Sequence, residues 1–235
     1  MTRAVFITGT DTGVGKTLVC ASLLAALRAR GVRATGMKPV ASGCAETPEG
    51  LCNEDALALI ANSSVTAPYE QVNPYALREP IAPHIAAEHE STEIRLGPLH
   101  AAFGALCTNT DCVIVEGVGG WCAPLSRTLM QSDLVAELRL PVILVVGLRL
   151  GCLNHATLSA RAIKMDRCRL LGWIGNRIEP DMRYVDENLA TLRERLPAPC
   201  LGVLPHASAR DPRTLAMHLS NAATVIASGA YPPAP

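Results

Sequence analysis

Short apolar runs alternate along this chain with longer stretches whose apolar residues recur at helical spacing. Residues 4–7 read as a buried strand and 18–27 as a helix, with Gly31 as its stop. Residues 32–37 read as a second strand, followed by a polar loop to about residue 52. Asn53 is placed to cap a helix over 54–60. Residues 63–90, with Pro68, Pro74, Pro80 and Pro83, form the longest irregular stretch, and long loops in α/β domains usually carry function. Beyond it the pattern predicts a helix at 98–107, a strand at 112–115 running into a glycine loop to 120, and a helix at 131–139. It then predicts a strand at 141–147, a helix at 151–165, a strand at 169–178 and a helix at 183–196. A strand at 200–205 and a helix at 213–227 close the pattern. Strand and helix in turn imply an α/β fold, a mostly parallel sheet with helices on both faces. No internal repeat or linker interrupts it, so residues 1–235 read as one domain.

In such sheets ligands bind beyond the carboxyl ends of the strands. The first strand end is the most informative. Gly9-Thr10-Asp11-Thr12-Gly13-Val14-Gly15-Lys16-Thr17 lies between the first strand and the first helix. Strand, glycine-bearing loop, Gly-Lys-Thr and helix make a phosphate cradle, so the fold expected is a single-domain P-loop fold. Loop N–H groups and the helix dipole favour negative charge there. Lys16 supplies a mobile charge for phosphate oxygens and Thr17 a hydroxyl for Mg²⁺. The first glycine lies one residue earlier than in the common pattern, so the loop is lengthened.

Composition narrows the function classes. The chain has 235 residues, 49% apolar and 18% charged, with zero formal net charge. It should be compact, and no basic stripe suggests nucleic-acid binding. No apolar run reaches membrane-spanning length. The first strand begins almost at once, so no signal peptide is expected. Nine cysteines with no CxxC pair read as small buried hydrophobes in a reducing cytoplasm.

Other strand ends carry candidates: Lys38 to Ser42, Glu116-Gly117-Val118-Gly119-Gly120, and Asn176-Arg177. Mg²⁺ takes oxygen ligands and keeps several waters, so Thr17, Asp55 and Glu116 with phosphates would suffice. Glu116 follows four apolar strand residues and precedes glycines, as the second carboxylate of P-loop enzymes does. Asp55 fits equally a metal ligand or an acid favoured by a helix dipole. Lys38 and Ser42 taken alone are a surface lysine or a turn former as readily as site residues.

Taken together, these segments resemble the ATP-dependent dethiobiotin synthetase family. The resemblance rests on the lengthened loop, Lys38-Pro39-Val40-Ala41-Ser42-Gly43, Asn53-Glu54-Asp55-Ala56, Val72-Asn73-Pro74-Tyr75, Pro83-His84, Val115-Glu116-Gly117-Val118-Gly119-Gly120-Trp121, Leu150-Gly151-Cys152-Leu153-Asn154-His155 and Gly172-Trp173, in order from residue 4 to about 205. It implies a reaction that joins 7,8-diaminononanoate, CO₂ (or bicarbonate) and ATP to give dethiobiotin, ADP and phosphate. A carbamate and a carbamic–phosphoric anhydride would be the intermediates.

The resemblance also implies the roles. Gly13, Val14, Gly15, Lys16, Thr17 and Gly117, Val118, Gly119 would hold the nucleotide, and Thr17, Asp55 and Glu116 the Mg²⁺. Lys38, Lys16 and Thr12 would serve catalysis, Lys38 by stabilising charge on the carbamate and the transferring phosphoryl. Thr12 and Ser42 would contact the amine or carbamate end. Asn176, Arg177, Pro205 and His206 would face the base. A homodimer is implied, in which Gly151, Cys152 and Asn154 at a helix start would bind the substrate carboxylate.

Three positions depart from the family: Gly13 stands where many members have Glu, Arg177 where some have an acid, and His206 where some have an aromatic. The rivals are a protein- or DNA-positioning ATPase, which would need a lysine where Asp11 stands, a small-molecule kinase, and an inactive nucleotide-binding module.

Overall fold

The computed structural model describes residues 2–206 and 211–229. The chain opens with β1 (Arg3–Gly9), α1 (Lys16–Arg28) and β2 (Ala34–Met37). Then come β3 (Val40–Ala41), β4 (Ala45–Thr47), β5 (Gly50–Cys52) and α2 (Glu54–Asn62). The next segment holds α3 (Tyr69–Val72), β6 (Tyr75–Ala76), α4 (Pro83–His89) and α5 (Leu96–Cys107). The second half alternates regularly: β7 (Cys112–Gly120), α6 (Gln131–Glu137), β8 (Val142–Leu148), α7 (Cys152–Met165), β9 (Leu170–Arg177), α8 (Val185–Arg195) and β10 (Cys200–Leu204). Helix α9 (Pro212–Leu215), a 3₁₀ turn (Ala216–Leu219) and α10 (Ser220–Ser228) follow.

Six strands form one sheet in the order β10-β9-β8-β1-β7-β2, every neighbouring pair parallel. Side-chain alternation divides the core in two. Val5 and Ile7 of β1 pack with Val19, Leu23 and Leu27 of α1 and with Ile226 of α10. Phe6, between them, faces the other way and packs with Val113, Leu106 of α5 and Val135 of α6. On that face Trp173 and Leu144 meet Ala156 of α7 and Leu189 of α8. Helices therefore cover both faces, as the alternation of apolar runs predicts. No helix among the described residues is long and apolar enough to cross a membrane, and all nine cysteines are free.

Three stretches differ from the sequence expectation. The polar loop before residue 52 contains an antiparallel hairpin, β4 with β5, whose largely exposed residues lack the apolar alternation that marks a strand. The irregular stretch 63–90 contains α3, β6 and α4, and β6 pairs in parallel with β3 in a separate two-stranded sheet. The last helix is broken at the 3₁₀ turn, where the chain crosses β10 so closely that a Cβ on Gly202 would lie 2.5 Å from His218 O.

Candidate active site

Strand register sets the site. Ile7 pairs with Glu116 and Met37 with Val115, so the P-loop, Lys38 and Glu116 emerge together at the carboxyl edge. Thr12, Gly13, Gly15, Lys16, Thr17, Lys38, Ser42, Asp55, Glu116, Val118 and Gly119 line one open cleft of about 380 Å³.

The start of α1 is built for an anion. Gly15, its N-cap, has φ 86° and supplies no side-chain cap, so the first-turn N–H groups have no side chain competing for them. Gly13 is also left-handed at φ 75°, and nothing lies within 4 Å of where its Cβ would be. A side chain at this position would therefore enter open space. Asn176, at the end of β9, supports the loop from behind by donating Nδ2 to Val14 O at 2.9 Å.

Lys16 is folded back, its Nζ donating to Gly119 O at 2.6 Å and Asp11 O at 3.1 Å. Burial, helped by the charge of nearby Lys38, lowers its pKa to about 8.

Thr17, Lys38, Asp55 and Glu116 form a closed ring of contacts. Thr17 Oγ1 lies 2.7 Å from Asp55 Oδ1 and 2.8 Å from Glu116 Oε1. Lys38 Nζ donates to Asp55 Oδ2 at 2.8 Å and to Glu116 Oε1 at 2.7 Å. Burial works to lower the Lys38 pKa, but the Glu116 and Asp55 charges outweigh it and hold the ammonium above its ordinary value. Burial works to raise Asp55, and the charge and hydrogen bond of Lys38 together with the Thr17 hydroxyl hold it below the usual range. Asn53 caps α2 as predicted, Oδ1 accepting from Asp55 N at 3.0 Å. The cap aims Asp55 at Thr17, so Asp55 is both a first-turn acid and a member of the ring.

Among the described residues, Glu116 Oε2 is fully buried with no hydrogen-bond partner. A buried, unsatisfied carboxylate oxygen is costly. With the Asp55 carboxylate and the Thr17 hydroxyl, it is a set of hard oxygen donors suited to Mg²⁺.

Three residues at the site have no signal in the sequence. Gln131, at the start of α6, accepts from Val118 N at 2.8 Å through Oε1 and donates Nε2 to Gly120 O at 2.8 Å, fixing the end of β7 beyond Glu116. Arg149 Nη2 donates to Asp11 Oδ2 at 2.6 Å, tying the P-loop to the turn before α7. Tyr69 on α3 lies between the elements that carry Lys38 and Asp55.

The comparisons with known proteins agree with this geometry. A family model described as an AAA domain matches residues 3–214. The ATP-dependent dethiobiotin synthetase BioD of Xanthomonas euvesicatoria pv. vesicatoria is 56% identical over 202 residues, 86% of this chain and 90% of its own. That of Xylella fastidiosa is 55% identical over 217 residues, 92% of this chain and 96% of its own. This chain belongs to the ATP-dependent dethiobiotin synthetases.

It is therefore an ATP-dependent ligase that makes dethiobiotin in biotin biosynthesis. In fold, the synthetase is similar to the MinC:MinD cell division complex of Aquifex aeolicus, with TM-score 0.61 and 15% identity over 98% of this chain and 97% of that one. MinD of Pyrococcus horikoshii, complexed with Mg-ADP, gives TM-score 0.54 at 15% identity over 94% of this chain and 95% of that one. At that identity the likeness concerns the P-loop fold alone.

The remaining predicted positions of the synthetase lie apart from the ring. Leu204 of β10 pairs with Asn176 of β9, which sets Pro205 and His206 beside Arg177. Gly151 turns at φ 92° into α7, where Asn154 is exposed. Cys152 is buried and its N–H already donates to Arg149 O at 3.0 Å, so it offers no free amide to a carboxylate. Gly151, Cys152 and Asn154 do not line the cleft of their own chain.

Proposed function

We propose that the synthetase works by phosphoryl transfer to a carbamate, with Lys38 as the principal charge stabiliser. One amine of 7,8-diaminononanoate forms an N–C bond to CO₂ and loses a proton, giving the carbamate. A carbamate oxygen then attacks the γ-phosphorus of ATP as the bond to the bridging oxygen breaks, and ADP leaves. The second amine attacks the carbonyl carbon of the mixed anhydride. The bond between that carbon and the oxygen it shares with phosphorus breaks, phosphate departs with that oxygen, a proton is lost and the ureido ring closes.

Each step needs positioning and fixed positive charge more than covalent help. Lys16 and the amides of Gly13, Val14, Gly15 and Thr17 would hold the β- and γ-phosphates, with Gly117, Val118 and Gly119 across the cleft. Lys38, its proton secured by Glu116 and Asp55, remains a cation at neutral pH and stabilises the carbamate oxygen and the moving phosphoryl. Thr12 and Ser42, on the cleft wall, would orient the amine end. Asn176, Arg177, Pro205 and His206 would face the base.

Thr17, Asp55 and Glu116 would hold Mg²⁺, which would supply positive charge to offset the negative charge of the phosphates. The orphaned Glu116 Oε2 is the observation that supports a metal in this ring.

A second copy of the chain would complete the substrate site. Leu150 is 94% exposed and Leu158 on α7 54% exposed, an apolar surface flanking Gly151 and Asn154. Covering it would bring one chain's α7 start towards its partner's substrate carboxylate.

The observation that carries this reading is the Lys38–Asp55–Glu116–Thr17 ring beside the P-loop. The test is phosphate release from Mg-ATP with and without 7,8-diaminononanoate and bicarbonate, with mass spectrometry of the product. Release that requires both, giving the diamine plus CO₂ less water, supports the reading. A phosphorylated product with no phosphate release would make the protein a kinase instead.

A further inference from the structure

Two residues of the ring, Lys38 and Asp55, come from separate elements, and one hydroxyl joins those elements. Tyr69 Oη accepts from Asn53 N at 2.8 Å. Because a backbone N–H can only donate, the hydroxyl proton is free for another partner, and Oη donates to Asn73 Oδ1 at 2.9 Å. That bond sets the Asn73 amide. Its Nδ2 then donates to Lys38 O at 2.7 Å and to Tyr75 O at 3.2 Å. On the other side Asn53 caps α2 at Asp55 N and donates Nδ2 to Ser42 O at 3.3 Å.

A second tie runs through the backbone, where Lys38 N donates to Val72 O at 2.8 Å at the end of α3. Asn53 and Asn73 are 7% and 3% exposed, so solvent does not readily replace their partners. Every bond in the chain has fixed polarity, and no step can be reversed without breaking another. Burial also raises the Tyr69 pKa to about 12, against a smaller lowering by the Asn53 N–H, so the hydroxyl keeps its proton.

We propose that Tyr69 is a positioning residue of this enzyme: through Asn73 it fixes the backbone that carries Lys38, and through Asn53 the helix start that carries Asp55, holding the ammonium and the carboxylate at the spacing that phosphoryl transfer requires. This rests on the reading of Lys38 and Asp55 as groups at the reacting phosphate. The Tyr69 hydroxyl bonds to Asn53 and Asn73 and to neither side chain of the pair. Loss of its hydroxyl should disturb the chemistry and the metal response while nucleotide contacts on the P-loop persist.

The experiment compares Tyr69→Phe, Asn73→Ala and Lys38→Ala with wild type in the complete reaction, measuring kcat, KM for ATP and the Mg²⁺ concentration for half-maximal rate. Tyr75→Phe is the control: it removes another hydroxyl from the same segment, one that accepts from Arg95 N and lies outside the network. Tyr69→Phe should lower kcat roughly 10–100-fold and raise the Mg²⁺ requirement, with KM for ATP within about twofold. Asn73→Ala should do the same, the double variant being no worse than either single one. Tyr75→Phe should match wild type. Wild-type kcat and Mg²⁺ response in Tyr69→Phe would overturn the inference, as would a loss matched by an equal loss of folded protein in thermal unfolding. If Lys38→Ala also turned over normally, the underlying reading of the site would fall with it. If Lys38→Ala were inactive, only the role of Tyr69 would fall.

Discussion

Lys38 and Glu116 meet at 2.7 Å, just past the end of β2 and midway along β7, the lysine side chain 5% and the glutamate 1% exposed. A pair so buried is poor evidence for stability, because desolvation offsets its attraction. Here the same two charges share Asp55 and Thr17 with the mouth of a phosphate loop. That placement supports the proposed action of the pair on a third, anionic group.

Lys38→Ala should abolish turnover, a rate loss of at least ~10²–10³-fold, while ATP binding is largely kept. The variant leaves Glu116 buried without its partner, which costs about 3–5 kcal/mol of stability. Calorimetric ATP titration beside steady-state rates, at a temperature where unfolding scans show the variant folded, checks this. Near-wild-type turnover would remove Lys38 from the mechanism.

Glu116→Ala should raise the Mg²⁺ concentration needed for half-maximal activity by roughly 10-fold or more. A Mg²⁺ titration of rate decides the matter. An unchanged titration curve would place the metal on other residues.

The Lys16 ammonium of the free protein should lose its proton as pH rises through about 8. Phosphate oxygens beside it would raise that value in the complex. From about pH 8 upward the complex then holds more protons than its separated parts, so nucleotide affinity should fall with rising pH and binding should take up as much as one proton. Calorimetry in buffers of differing ionisation heat reads the uptake directly. The expected result is uptake at pH 8.5 and much less at pH 6.5, whereas equal uptake at both would contradict the shift.

Gly15→Ala should impair nucleotide binding more than folding. Its Cβ would lie 2.2 Å from Asn176 Nδ2, at a φ of 86° that L residues rarely adopt. The N–H groups around it are the phosphate cradle, so any relief of that clash moves them. Tight ATP binding by this variant would show that the loop adapts.

Much of this was legible from the chain, and the reasons are local. β1, the glycine loop and α1 are adjacent in sequence, and their apolar periods change from strand to helix across nine residues. Asn53 announced α2 through its capping chemistry. Glu116 stood out as a carboxylate closing an apolar run. Asp55 reads equally as a metal ligand or a dipole acid because the sequence shows only its place at a helix start; the fold adds that the Asn53 cap turns this first-turn acid towards Thr17. Four-residue α3 and two-residue β3 and β6 are too short to show any period. Tyr69, Gln131 and Arg149 act through partners 4 to 138 positions away in sequence, which only the folded chain brings near. The buried N–H of Cys152 was hidden for the same reason, since its acceptor depends on how the turn at Gly151 closes.

The central claim is that the γ-phosphoryl group passes to an oxygen that came from CO₂. A single turnover started with ¹⁸O-labelled bicarbonate, quenched before exchange with water, tests it by mass spectrometry of the released phosphate. The account predicts one labelled oxygen transferred into each phosphate. Phosphate carrying no label, formed alongside dethiobiotin, would contradict it.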